Sequence, residues 1–185
     1  MKTTMTRERV GTGNLGVVLL LLLFGISLPA QAQTPKPGAE QKKLEVFLGA
    51  WKYEGDYKAG PLGPAGKFSG RQTGRWILDG FFLEWKGKEK GQFGDVRWTE
   101  VDWYDPVTKS YLYQGFQSDG TTWSGSFTLE GRVLTVSGTM AYKGTTYRTR
   151  GQSTFSADAR TVTGTGDIST DGKVWTPWSE AKMTK

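Results

Sequence analysis

Glu100 and Asp102 stand two residues apart beside Trp98 and Trp103, and Arg75 and Glu84 flank an Asp79-Gly80 step. An acid pair does general acid–base work when burial raises the pKa of one member. A third arrangement, Arg148-Thr149-Arg150, would grip an anionic group bidentately if both guanidinium groups faced the same interior. The chain contains no histidine and no cysteine. Serine–histidine and cysteine–histidine catalysis are therefore excluded, and haem or zinc bound through the usual ligands is not expected. The sequence calls for no metal and no cofactor.

Aromatic residues are the other chemical resource. Trp76, Trp85, Trp98, Tyr113 and Trp123 are the candidate ligand-binding side chains, because aromatic walls with a few polar groups suit most small molecules. The alternative for each one singly is plain core packing. Which reading holds depends on the elements that carry them.

From Ala50 onward the apolar period is two, and the strands are punctuated by Gly-rich turns. The expected strands are 50–58, 67–78, 81–88, 93–104, 110–118, 121–129, 132–142, 145–156, 161–169 and 173–183. Between them sit Asp79-Gly80, Asp105-Pro106, Asp119-Gly120, Glu130-Gly131, Lys143-Gly144 and Asp171-Gly172. In most of these, glycine supplies the positive φ that tight hairpins need. The predicted fold is all-β: an antiparallel up-and-down meander of about ten strands, with one short helix before it where Leu44, Phe47 and Leu48 have helical spacing. Closure into a barrel removes both sheet edges, and about ten strands leave room inside. A two-sheet sandwich is the alternative, but it needs longer crossovers than this chain provides.

Hairpin register assigns the faces. A two-residue turn at Asp79-Gly80 pairs Leu78 with Phe81, Trp76 with Leu83, Arg75 with Glu84 and Gly74 with Trp85. Trp76, Leu78, Phe81, Leu83 and Trp85 then face inward, and Arg75 and Glu84 form an exterior ion pair. The Lys143-Gly144 turn puts Met140, Tyr142 and Tyr147 inside and Arg148 and Arg150 outside. Trp51, Tyr53 and Tyr57 share a face, as do Trp123, Phe127 and Leu129. Strand glycines at Gly70, Gly74, Gly115, Gly125, Gly138, Gly151 and Gly164 permit bends and leave space next to large rings. Pro177 marks an edge or bulge between Trp175 and Trp178.

Ahead of the barrel, Lys2, Arg7 and Arg9 precede an apolar run from Val17 to Leu28 and a small-residue Ala30-Gln31-Ala32 site. That pattern is the secretory signal peptide, expected over 1–32, and the run is shorter than the ~20 residues a membrane span needs. Residues 33–38 read as a flexible leader and 39–185 as a single barrel domain. The expectation is an exported, periplasmic or extracellular monomer without stable membrane insertion. From Gln33 onward, 21 Lys and Arg face 17 Asp and Glu, a net +4 without a basic run. Nothing resembles a groove-reading helix, so no nucleic-acid partner is expected.

LGAWKYEG, the FFLEWKG segment after Asp79-Gly80, WYDPVTKSYLYQGFQSDG and the closing DGKVWTPWSEAKMTK together resemble a bacterial family known as a domain of unknown function. The resemblance spans Leu44 to Lys185. It implies a calycin-like barrel, of the broad group that includes lipocalins and fatty-acid-binding proteins. It also implies that Trp51 closes the barrel floor beneath the helix, the alternative being a ring that contacts ligand, and that the loop 59–66 lies across the mouth as a lid with Leu62 at its tip, the alternative being a mobile surface loop with no role. The disulfides common in lipocalins are absent, as is the Arg-x-Tyr with which fatty-acid-binding proteins hold a carboxylate.

The combined expectation is a barrel that binds a small, mainly apolar or aromatic ligand without catalysis. Two alternatives stay open: an enzyme that uses an interior carboxylate or tyrosine as acid or base, and a filled barrel acting as a structural or interaction domain.

Overall fold

A computed structural model describes residues 35–185. The segment read as a signal peptide lies outside the described residues. Helix α1 (Ala39–Lys43) continues into a 3-10 turn at Leu44–Phe47. At its start the Gln41 side chain accepts the Gly38 N–H at 2.9 Å, which satisfies one donor that the helix itself leaves open. Leu44 and Phe47 are the buried face of this segment.

Ten strands follow: β1 (Gly49–Tyr57), β2 (Gly66–Ile77), β3 (Phe82–Gly91), β4 (Gly94–Asp105), β5 (Ser110–Gln117), β6 (Thr122–Glu130), β7 (Val133–Tyr142), β8 (Thr145–Phe155), β9 (Thr161–Ser169) and β10 (Thr176–Thr184). Each pairs antiparallel with the next, and β1 pairs with β10 to close the barrel. The expected meander, its closure and its strand count all hold. Gly120, Gly131, Gly144 and Gly172 adopt positive φ in the turns where the sequence places them.

The β2–β3 hairpin keeps the predicted register, with Trp76 opposite Leu83, Arg75 opposite Glu84 and Gly74 opposite Trp85. Its tip differs. Leu78 does not pair with Phe81 or face inward; it starts a 3-10 turn at Leu78–Gly80, with φ of 48°, and is 68% exposed. The Phe81 N–H closes that turn on the Leu78 carbonyl, so the strands end at Ile77 and Phe82. The last strand also starts later than expected. The Asp171 carboxylate accepts the N–H groups of Lys173 and Val174 and holds 173–175 in a loop. Pro177 interrupts the register between β9 and β10, the predicted bulge, and turns Trp178 inward onto Tyr57.

One end of the barrel is stoppered. Phe47 packs against Trp85, Phe127 and Phe155 with ring centroids 5.5–6.4 Å apart. Trp51 is buried and donates its indole N–H to the Phe47 carbonyl at 3.0 Å. Tyr111 donates to the Glu40 carboxylate at 2.6 Å and ties α1 to β5. The Trp51 floor and the helical plug are thus one packed unit. Among the described residues no helix is long and apolar enough to cross a membrane.

Candidate functional site

Glycine placement keeps the interior hollow. Tyr53 stands opposite Gly70, Trp85 opposite Gly74, Trp98 opposite Gly87, Tyr113 opposite Gly125 and Trp123 opposite Gly115. At Gly70, Gly87, Gly115 and Gly125 the aromatic side chain occupies space that a Cβ on the glycine would need, and at Gly74 the Phe47 carbonyl does so with the Trp85 ring close beside it. The rings therefore lie along the wall, over the neighbouring strand, instead of standing into the lumen. A cavity of about 490 Å³ is left, within the usual range for small-molecule sites.

Trp85, Trp98, Tyr113 and Trp123 line this cavity, as the sequence proposes, and so does Leu62. Trp76 is not among the lining residues; it packs, half-buried, against the core around the plug. Leu62 packs beside Met140, Tyr147, Ile168 and Trp178 at the end opposite the plug. Phe93 and Tyr142 meet there with ring centroids 5.8 Å apart, and Tyr57 stacks on Trp178. The first connecting loop thus brings its apolar residue to the open end, the place a lid would occupy.

The deep part of the cavity holds the acid pair. Alternation along β4 turns Val96, Trp98, Glu100, Asp102 and Tyr104 to one face, and both acids line the cavity. Trp85 donates its indole N–H to Asp102 Oδ2 at 3.0 Å. Glu100 lies in one cross-strand row with Gly115 and Trp123; the indole crosses the glycine and donates to the Glu100 carboxylate. Burial raises the Asp102 pKa well above the ordinary carboxylate range, and the adjacent Glu100 charge adds to this. Burial also raises Glu100, against the opposing hydrogen bond from Trp123. Two carboxyl groups in contact cannot both ionise cheaply, so the pair favours retention of a proton. Asp102 is 5% exposed, and among the described residues its Oδ1 has no hydrogen-bond partner outside the acid pair.

A third carboxyl group lies nearer the mouth. Glu89 accepts the Tyr57 hydroxyl at 2.8 Å, and burial raises its pKa. Trp98 donates to the Tyr53 hydroxyl at 3.1 Å. Burial pushes Tyr113 up to about 12, and it raises Tyr53 and Tyr57 as well, so these phenols stay neutral.

The basic residues turn away from the lumen. Arg150 touches the cavity wall, but its guanidinium bonds Asp167 at 2.8 Å and stacks 4.3 Å from the Trp175 ring. The Arg148-Thr149-Arg150 grip on an interior anion is therefore not formed. Arg75 and Glu84 make the expected exterior pair at 2.6 Å, joined by Lys86.

Glu100, Asp102 and Glu89 are the functional candidates whose interior position the sequence reading did not assign. The signal was present for two of them: with Trp98 facing inward, period-two alternation also carries positions 100 and 102 inward.

Comparison with known proteins supports the architecture. Rv2717c from M. tuberculosis, known as a crystal structure, superposes with a TM-score of 0.57 at 11% identity, over 80% of this chain and 98% of that one. At this identity the likeness shows the fold alone. A de novo designed fluorescence-activating β-barrel gives a TM-score of 0.41 at 12% identity, over 76% of this chain and 94% of that one. No curated protein matches the chain. Residues 36–184 match a family described as "Protein of unknown function (DUF1579)", and the chain belongs to that family.

Proposed function

We propose that the protein binds one small, mainly apolar ligand inside its barrel, without chemical conversion. The observation that carries this reading is the cavity of about 490 Å³, kept open by four ring-over-glycine pairs and walled by Trp85, Trp98, Tyr113 and Trp123. A barrel that served only as a scaffold would gain stability by filling that space, because unfilled volume forfeits packing. The basic leader, apolar run and Ala30-Gln31-Ala32 site support export, which would place the binding step outside the cytoplasm.

Native mass spectrometry of protein recovered from its own host tests this. The expected result is a non-covalent adduct of one small molecule per chain, released on unfolding. Recovery of bare protein alone, together with failure of neutral aromatic probes to bind, would contradict it.

A second reading has one specific observation in its favour. The Glu100–Asp102 pair is buried, raised in pKa and open to the cavity, which is how a general acid is prepared. On that reading the barrel would protonate a bound small molecule. Turnover abolished by Asp102→Asn would support it over simple binding.

A further inference from the structure

We propose that the ligand carries a basic nitrogen, and that its ammonium head sits against Glu100 and Asp102 while its apolar body lies along the tryptophan wall. The inference rests on the reading that the cavity binds a ligand, and it names the ligand's class.

Charge inside the barrel is of one sign. Glu89, Glu100 and Asp102 line the cavity, and the one basic residue in its wall, Arg150, is committed outward to Asp167 and Trp175. Such an interior repels a carboxylate or phosphate. The three indole donors nearest the acids are already used: Trp85 on Asp102, Trp123 on Glu100 and Trp98 on Tyr53. The free indole donor of the cavity, Trp178 Nε1, stacks by Tyr57 toward the mouth, so an anionic ligand would find no cation at the deep end.

The unmet need there is for a donor. Asp102 Oδ1 is buried and accepts from no other side chain or backbone group among the described residues, so a proton shared with Glu100 is the one donor the pair has. A neutral apolar molecule would fill the space and add no donor to the two acids. An ammonium group supplies up to three N–H donors and a positive charge, and meets both acids at once. The rings beside it contribute in the same sense. Trp98 and Trp123 meet edge to face with centroids 6.3 Å apart, and aromatic faces attract cations.

The proton balance is simple. If the pair holds a proton when a neutral amine arrives, that proton moves to the amine nitrogen, leaving an ammonium beside carboxylate. If the ligand arrives as ammonium, the pair releases its proton to solvent. The other titratable group facing the pair is Tyr113 on β5, which stays neutral; Leu83 and Trp85 face it from β3. Affinity comes from the apolar wall, and the acids supply discrimination between ligands.

The test uses three probes of one shape: 2-naphthylmethylamine, 2-naphthylmethanol and 2-naphthoate, each titrated calorimetrically at pH 7.5. The amine should bind at least about tenfold tighter than the alcohol, with the carboxylate weakest, a spread that charge complementarity readily produces. In Glu100→Gln/Asp102→Asn the amine should lose its advantage over the alcohol. Equal binding of amine and alcohol, or a preference that survives in the double variant, overturns the amine assignment and leaves cavity binding standing. If none of the three binds, cavity binding falls and the amine assignment with it. Should the double variant fail to fold, the wild-type protein decides: the amine's advantage must shrink as pH falls from 8 to 4, and an advantage constant over that range overturns the proposal.

Discussion

Gly115 on β5 stands directly opposite Trp123 on β6, and the indole lies across the glycine to donate to Glu100 on β4. One missing side chain thus opens the lumen and lets an indole partner a buried acid two strands away. Gly115→Val should displace the ring, break that hydrogen bond and destabilise the fold by about 1–3 kcal/mol, the range for overpacking. Urea unfolding measures the loss, and ligand affinity should fall with it.

Phe47 joins the stopper to the barrel wall. This ring touches Trp85, Phe127 and Phe155 while its carbonyl receives the Trp51 indole. Phe47→Ala should cost about 3–5 kcal/mol. Hydrogen exchange should then rise first in α1 and at the start of β1, where the plug meets the barrel.

Stability should depend on pH through the acid pair. Both folded-state pKa values lie above those of the unfolded chain, so the folded protein holds protons that the unfolded chain releases. The stability tied to this is complete below the ordinary carboxylate pKa and is lost as pH rises through the raised values. Surface carboxylates act oppositely: hydrogen bonds from Thr108 to Asp105, from Ser156 to Asp158 and from Lys173 to Asp171 hold their pKa values down, so their contribution is lost as pH falls. Asp102→Asn removes only the first effect. Its urea midpoint should gain on the wild type as pH is raised from 4 to 8, and parallel profiles would contradict the burial of this pair.

Leu62 should govern exchange more than stability. It packs against the cluster of Met140, Tyr147 and Ile168 from a loop at the open end of the cavity. Leu62→Ala should speed both association and dissociation of a bound fluorophore, measured by stopped flow, while the melting temperature moves by only a few degrees.

The barrel was legible because its local signals agree. Period-two alternation, Gly-containing turns and the pairing of Arg75 with Glu84 all point to one register, which the structure keeps. Leu78 misled because its apolar side chain extends the alternation of β2, while the turn chemistry that removes it involves positive φ at both Leu78 and Asp79. Glu100 and Asp102 were harder to place for a different reason. Hydrophobic patterning assigns acids to the solvent face, and the tertiary partners, the Trp85 indole from the adjacent β3 and the Trp123 indole reaching over Gly115 from β6, make their burial tolerable. Glu89 depends in the same way on Tyr57, 32 residues away.

Entry of a ligand into the lumen, as proposed, can be measured directly. Titration of the neutral fluorophore N-phenyl-1-naphthylamine into wild-type protein and into Val136→Trp, which sets an indole in the cavity wall, tests it most directly. Saturable binding at one site per chain is expected in the wild type, and binding at least about tenfold weaker in the variant, as follows when pocket volume is lost. Absence of saturable binding, or equal affinity in two equally folded proteins, would contradict it.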